Sequence, residues 1–136
     1  MAKRHLEQPQ SLKLAALWAQ DKGLPLVVMT TLRGCPYCDL VRENYLYPMN
    51  ASGQVVAVQI DILDAGNEVE FFDGRKLWPR EISRIWKNKV APTVYFFDAQ
   101  GREIAERLEG VAVPDFFGSY LDARLEEGRK AIKRRS

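Results

Sequence analysis

The chain is poor in the side chains that bind metals or staple small proteins: its 136 residues include two cysteines and one histidine. A tetrahedral zinc site within one chain needs four ligands, and a disulfide-stapled miniprotein needs several cysteine pairs, so neither supports this fold. Long apolar runs are missing too. Nothing approaches the roughly 20 apolar residues of a spanning helix, which argues against membrane insertion. No export leader is expected within this sequence, because Met1 to His5 is basic but Leu6 to Gln10 supplies no apolar stretch after it. Two readings of the start stay open: a cytosolic protein with its natural first residue, or an exported one whose leader was replaced by a short Met-Ala. Finally, the chain lacks a strong charge of one sign. Its formal net charge is +2, and six cations between Arg124 and Arg135 against Glu126 and Glu127 leave the remainder slightly acidic. Aromatic residues are not interleaved with that basic cluster, so the expectation is a solvated helix end rather than a nucleic-acid or lipid contact.

What is present describes a globular protein. Hydrophobic residues make up 46% and charged residues 28% of the chain, enough to bury a core in about one domain. Apolar spacing predicts a first helix over about 10–22, ending at Gly23. Leu26 to Thr31, rich in β-branched residues, reads as a strand buried on both faces. A second helix follows Cys35-Pro36 and runs to about Tyr47, where Pro48 is expected to stop it. Val55 to Asp61 is a second buried strand, and the helix between the two makes a right-handed, parallel βαβ unit. Leu63 to Leu77 is irregular, and Pro79 opens a short helix carrying Ile82, Ile85 and Trp86. Thr93 to Phe97 and Glu103 to Leu108 form a hairpin around Asp98-Ala-Gln-Gly101, and Pro114 starts a final helix. The expected class is α/β, a central mixed four-stranded sheet with helices on both faces.

Cys35-Pro36-Tyr37-Cys38 lies between a buried strand and the first turn of a helix. An i, i+3 pair there has its Cα atoms roughly 5 to 6 Å apart, within disulfide range, so the bond can open and close with little backbone motion. Free N–H groups and the positive helix end favour a thiolate on Cys35, below the ordinary thiol value of about 8.5. Cys35 is therefore the candidate nucleophile, and Cys38, one turn further in, the residue that resolves a mixed disulfide. Cu(I) binding by the two thiolates is a chemically open alternative. A structural disulfide closing so short a loop would stabilise little.

With Val90-Ala91-Pro92-Thr93 entering the hairpin, these features make the chain resemble the thioredoxin superfamily over about residues 10–128, with an insert at about 63–88 and a basic tail at about 129–136. The resemblance implies protein disulfide oxidoreductase activity on substrate proteins bearing cysteines or disulfides, an upstream redox partner, a monomer, and no cofactor or metal. It implies a cis Pro92 facing the cysteines, with Ala91 offering backbone hydrogen bonds to a substrate strand and Pro36 and Tyr37 lining the active site. The insert, the Phe-Asp-Gly turn at 72–74 and the ending Tyr120 to Leu125 are most similar to small periplasmic SoxW-like thioredoxins of bacteria, which implies a periplasmic reductase; a cytoplasmic location is the alternative. The Cys-Pro-Tyr-Cys string also resembles that of glutaredoxins, which implies a glutathione-dependent reductase as the alternative function. However, Leu108-Glu109-Gly110-Val111-Ala112 stands where those place the Gly-Gly and acidic residues that hold glutathione.

One departure bears on mechanism. Thioredoxins hold a buried acid six residues before the first cysteine to relay the second thiol's proton, and here that residue is Met29. Thr31 and Gly34 replace the usual flanking tryptophans. Glu43 and Asp61 are the candidate substitutes for the acid, and Arg33 a candidate thiolate-stabilising cation. Of the tryptophans, Trp86 is expected in the core, and Trp78 under the insert rather than facing a partner.

Overall fold

The computed structural model describes residues 5–135. The basic start over residues 1–4 and the terminal Ser136 lie outside the described residues. Four strands form the central sheet: β1 (Leu26–Thr31), β2 (Val56–Asp61), β5 (Thr93–Phe97) and β6 (Glu103–Glu109), in the order β2-β1-β5-β6. The β1–β2 pair is parallel, the other two pairs antiparallel, so the sheet is mixed as the patterning predicts. Helix α1 (Leu12–Asp21) starts at Ser11, whose side chain caps the Leu14 N–H at 3.0 Å.

Strand alternation sorts the core onto two faces. On one, Leu26 and Val28 of β1 join Leu12, Ala16 and Ala19 of α1, together with Ile82 and Trp86 from helix α4 (Pro79–Ile85) and its end, and Tyr95 and Phe97 of β5. On the other, Val27 and Met29 join Val41 and Leu46 from the cysteine-bearing helical run and Phe117, Leu121 and Leu125 from α5 (Pro114–Arg135). Leu6 at one end and Ala131 and Ile132 at the other are buried, so the packed body extends beyond residues 10 and 128. The basic cluster, expected as a helix end, lies in the last turns of α5.

Three elements depart from the expected pattern. The second helix does not stop at Pro48. It runs as α2 (Pro36–Val41), a π-type segment (Arg42–Leu46) and α3 (Tyr47–Ala51), with Pro48 in the first turn of α3. The widened turn, in which the Tyr47 N–H reaches the Arg42 carbonyl, admits a residue that has no N–H and whose ring would clash with a regular preceding turn. Within the irregular insert, β3 (Val69–Glu70) and β4 (Lys76–Leu77) pair around the Asp73-Gly74 turn, with Gly74 at φ 91°. Val69, Phe72 and Leu77 anchor this small hairpin in the first core.

The third departure is at the start. Glu7 and Gln8 strap the outer edge of β2, with a parallel bridge between Glu7 and Val58 and a hydrogen bond from the Gln59 N–H to the Glu7 carbonyl at 2.9 Å, and Gln10 and Ser11 continue onto Glu70 of β3. The Gln8 side chain accepts from the Asp61 N–H at 3.2 Å and donates to Asp64 at 2.7 Å.

Candidate functional site

Both cysteines lie where β1 hands over to α2. The strand ends at Thr31, Gly34 turns the chain at φ 71°, and Cys35 occupies the N-cap of α2 in an extended conformation. Pro36 follows at the start of the helix, a position where its missing N–H costs nothing. Cys35 and Cys38 are joined as a disulfide with Cα atoms 5.2 Å apart. Cys35 Sγ accepts a hydrogen bond from the Cys38 N–H at 3.2 Å, which places that sulfur on one of the helix's free donors. The two sulfurs differ in access: Cys35 is half-buried and Cys38 fully buried. Beside them Pro36 is exposed, and so is Tyr37, at 48%.

The Ala91–Pro92 peptide bond is cis. Pro92 is buried, Ala91 half-buried, and the Ala91 carbonyl oxygen lies 3.8 Å from Cys35 Sγ. This loop therefore forms the second wall of the site. A neutral hydrogen-bond network holds it from behind. Asn88 donates from Nδ2 to the Val90 carbonyl at 3.2 Å, and its Oδ1 accepts from the hydroxyls of Tyr95 and Thr30. The Thr93 hydroxyl donates to the same Val90 carbonyl at 2.6 Å, while the Thr93 N–H donates to Thr30 Oγ1 at 3.1 Å. Burial pushes the Tyr95 phenol well above its ordinary range.

Met29 occupies the buried position six residues before Cys35, paired across the sheet with Gln59 and Val94. Neither carboxylate expected in its stead is hydrogen-bonded to a cysteine: Glu43 is exposed on the helical run, and half-buried Asp61 accepts from the Leu63 N–H at 3.0 Å. Arg33 is exposed at the rim of a polar groove of about 490 Å³ that also includes Thr31, Arg42, Gln59 and Asp61. Trp78 is 39% exposed rather than covered by the insert, because Pro79 starts α4 immediately and the indole is left at its outer end. Trp86 is buried, as its spacing predicts.

The arginine that matters most to the local geometry is one that sequence reading passes over. Arg42, one turn beyond Cys38, is only 8% exposed. It donates from Nε to the Gln59 side chain at 3.0 Å, from one terminal nitrogen to Asp39 at 3.0 Å, and from the other to Thr31 Oγ1 at 3.2 Å. The available signal was its i, i+4 spacing from buried Cys38 beside the apolar Val41, which puts a cation on the covered side of the helix. Among the described residues, no group of three or more histidine, cysteine or carboxylate side chains is placed to hold a metal ion. No described helix is long and apolar enough to cross a membrane.

The family model of the thioredoxin-like domain matches residues 12–125. The chain belongs to the thioredoxin-like domain family. Its solved structural neighbours agree with that placement at the level of fold. Thioredoxin O2 from Arabidopsis thaliana, solved in the oxidised state, is 20% identical with a TM-score of 0.54, the match covering 91% of this chain and 97% of that one. A thioredoxin-fold protein from Helicobacter pylori is 18% identical with a TM-score of 0.59, over 96% and 90% of the two chains. Fasciola hepatica thioredoxin is 17% identical with a TM-score of 0.56, over 88% and 99%. No curated protein sequence matches the chain. Within this thioredoxin-like fold, the Cys35–Cys38 pair sits at the junction of β1 and α2 and the Ala91–Pro92 loop lies against it.

Proposed function

We propose that this thioredoxin-like protein is a thiol-disulfide oxidoreductase that exchanges electrons with cysteines of other proteins, working as a reductase. The observation that carries the reading is the asymmetric Cys35–Cys38 pair: an accessible sulfur on a helix N-terminal N–H, bonded to a buried sulfur one turn inside. In the reducing direction the Cys35 thiolate attacks one sulfur of a substrate disulfide, forming a mixed disulfide and releasing a substrate thiolate. Cys38 then loses its proton to solvent and attacks Cys35 Sγ. That step forms the intramolecular bond and expels the second substrate thiolate, so two electrons have passed to the substrate. An upstream dithiol restores the reduced pair. Exposed Tyr37 and Pro36, with the Ala91–Pro92 loop, supply the surface on which the substrate segment lies. The Leu108 to Ala112 segment offers no Gly-Gly pair, which favours protein cysteines over glutathione as the exchange partner. A monomer in the bacterial envelope is the setting we propose, on the likeness to SoxW-like sequences alone.

Insulin-disulfide reduction with dithiothreitol as electron donor tests the activity. Cys35→Ser is expected to abolish turnover, and Cys38→Ser to accumulate mixed disulfides detectable by mass. A wild-type protein that forms no intramolecular disulfide in any glutathione buffer would sink the proposal, and tight Cu(I) binding without turnover would replace it with a binding module.

A further inference from the structure

Arg42 is a buried cation that the exchange reaction as written does not use. A charge is withdrawn from water at a cost, so its surroundings indicate what it serves. Arg42 lies one helical turn after Cys38, and its backbone N–H bonds the Cys38 carbonyl. Helical side chains lean toward the N-terminus, and the bonds to Asp39 and Thr31 turn the guanidinium back toward the end of the helix that holds the cysteines. Two of its three partners, Gln59 and Thr31, are neutral. The third, Asp39, is 62% exposed, so water screens the anion far more than the cation, which is 10% exposed at its side chain. The other charged or titratable groups around the groove are Glu43, Asp61, Arg33 and His5, and they come from four different segments.

We infer that Arg42 is a positioning residue for the thiol chemistry: its buried guanidinium stabilises the thiolate of the reduced Cys35–Cys38 pair and so sets the reduction potential, on the face where Met29 supplies no acid. The inference rests on the exchange reading above. Reduction of the disulfide by two glutathione thiols yields oxidised glutathione and the protein dithiol; where one of its thiols ionises, that proton passes to solvent and a thiolate remains. A cation one helical turn from Cys38 favours the ionised product. It also lets Cys38 lose its proton to solvent without a dedicated base.

Redox titration against glutathione buffers at pH 5 and pH 8, with thiolate absorbance followed against pH, tests this on the full-length protein. Arg42→Met is expected to shift the equilibrium three- to ten-fold toward the disulfide at pH 8, tenfold being about 30 mV. The thiolate midpoint should rise with it. At pH 5, where a larger share of any thiolate is protonated in either protein, the difference should be smaller than at pH 8. Arg42→Lys should stay within about twofold of wild type. Asp39→Asn, which keeps an acceptor for Arg42 but removes the anion, should shift the equilibrium the opposite way. The inference is overturned if Arg42→Met and Asp39→Asn move the potential in the same direction or not at all, or if Arg42→Lys behaves as Arg42→Met. Should Arg42→Met fail to fold, the opposed signs of Asp39→Asn and Thr31→Val decide the matter, since losing Thr31 loosens the guanidinium and should mimic its removal weakly. A wild type that never cycles in these buffers would instead remove the exchange reading and this inference with it. Variants that share the wild-type potential while wild type cycles would remove the inference alone.

Discussion

Thr30 and Thr31 are neighbours on β1, yet strand alternation sends their hydroxyls into two different polar clusters on opposite faces of the sheet. Thr31 meets the Arg42 guanidinium, under the helix that carries the cysteines. Thr30 meets Asn88, behind the loop that carries Ala91 and Pro92. The first cluster contains a buried cation and a screened anion. The groups that hydrogen-bond the loop in the second are uncharged, with the Arg107 guanidinium 4.6 Å over the Tyr95 ring. A charge acts over several ångströms on whatever ionises nearby, whereas a neutral network acts through the position of the atoms it binds. On the proposed exchange reaction, the first cluster is the one placed to act on thiol ionisation and the second the one that holds the loop, so the two can be varied separately.

The sharpest test of that division is to damage the loop-side face severely and ask whether the potential stays put. Trp86 packs against Tyr95 and Phe97 with ring centroids 4.6 and 5.0 Å apart. Trp86→Ala should cost about 3–5 kcal/mol in urea unfolding and leave the glutathione equilibrium within twofold. A several-fold change in that equilibrium would break the comparison. Asn88→Ala comes next. It removes the acceptor of a buried phenol and the donor to Val90, a loss of about 2 kcal/mol. Steady-state insulin assays should show KM raised several-fold with kcat nearly unchanged; a fall in kcat with constant KM would assign Asn88 to the chemistry instead.

The smallest effect belongs to Tyr95→Phe, about 1 kcal/mol at pH 7. Its pH dependence is more informative. Burial raises the folded-state phenol above the unfolded value of about 10. Above pH 10 the unfolded chain therefore loses a proton that the folded chain keeps, and stability falls as pH rises. Wild type should weaken between pH 9 and 11 more steeply than Tyr95→Phe. Equal slopes would mean that the phenol is not the group responsible.

Much of this arrangement was legible from local pattern. The continuous β-branched runs, the helix-initiating prolines and the Cys-Pro-Tyr-Cys spacing each report on their own few residues, and the sheet and the cysteine pair followed from them. What escaped depends on partners far along the chain. Arg42 reads as a solvated helical charge until Gln59 on β2 and Thr31 on β1 are known to meet it. Pro48 reads as a stop because sequence does not reveal that the preceding turn widens. The β3–β4 hairpin has only two paired residues per strand, too few for a periodic signal, and it is tied down by Ser11, which donates to Glu70 at 2.6 Å from 59 residues away. The loop-side cluster was missed for the same reason: Asn88, Tyr95 and Thr30 belong to three different segments.

The strap over β2 has a consequence for how the molecule behaves in company. An open sheet edge is a ladder of unpaired N–H and C=O groups on which another chain can build. On one side that invitation is withdrawn by residues 7 and 8, which occupy the Gln59 and Asp61 amides. On the other, β6 carries Glu103, Glu106, Arg107 and Glu109, and its pairing with β5 is broken by register shifts. With one border covered and the other charged and irregular, pairing of copies edge to edge is disfavoured on both sides.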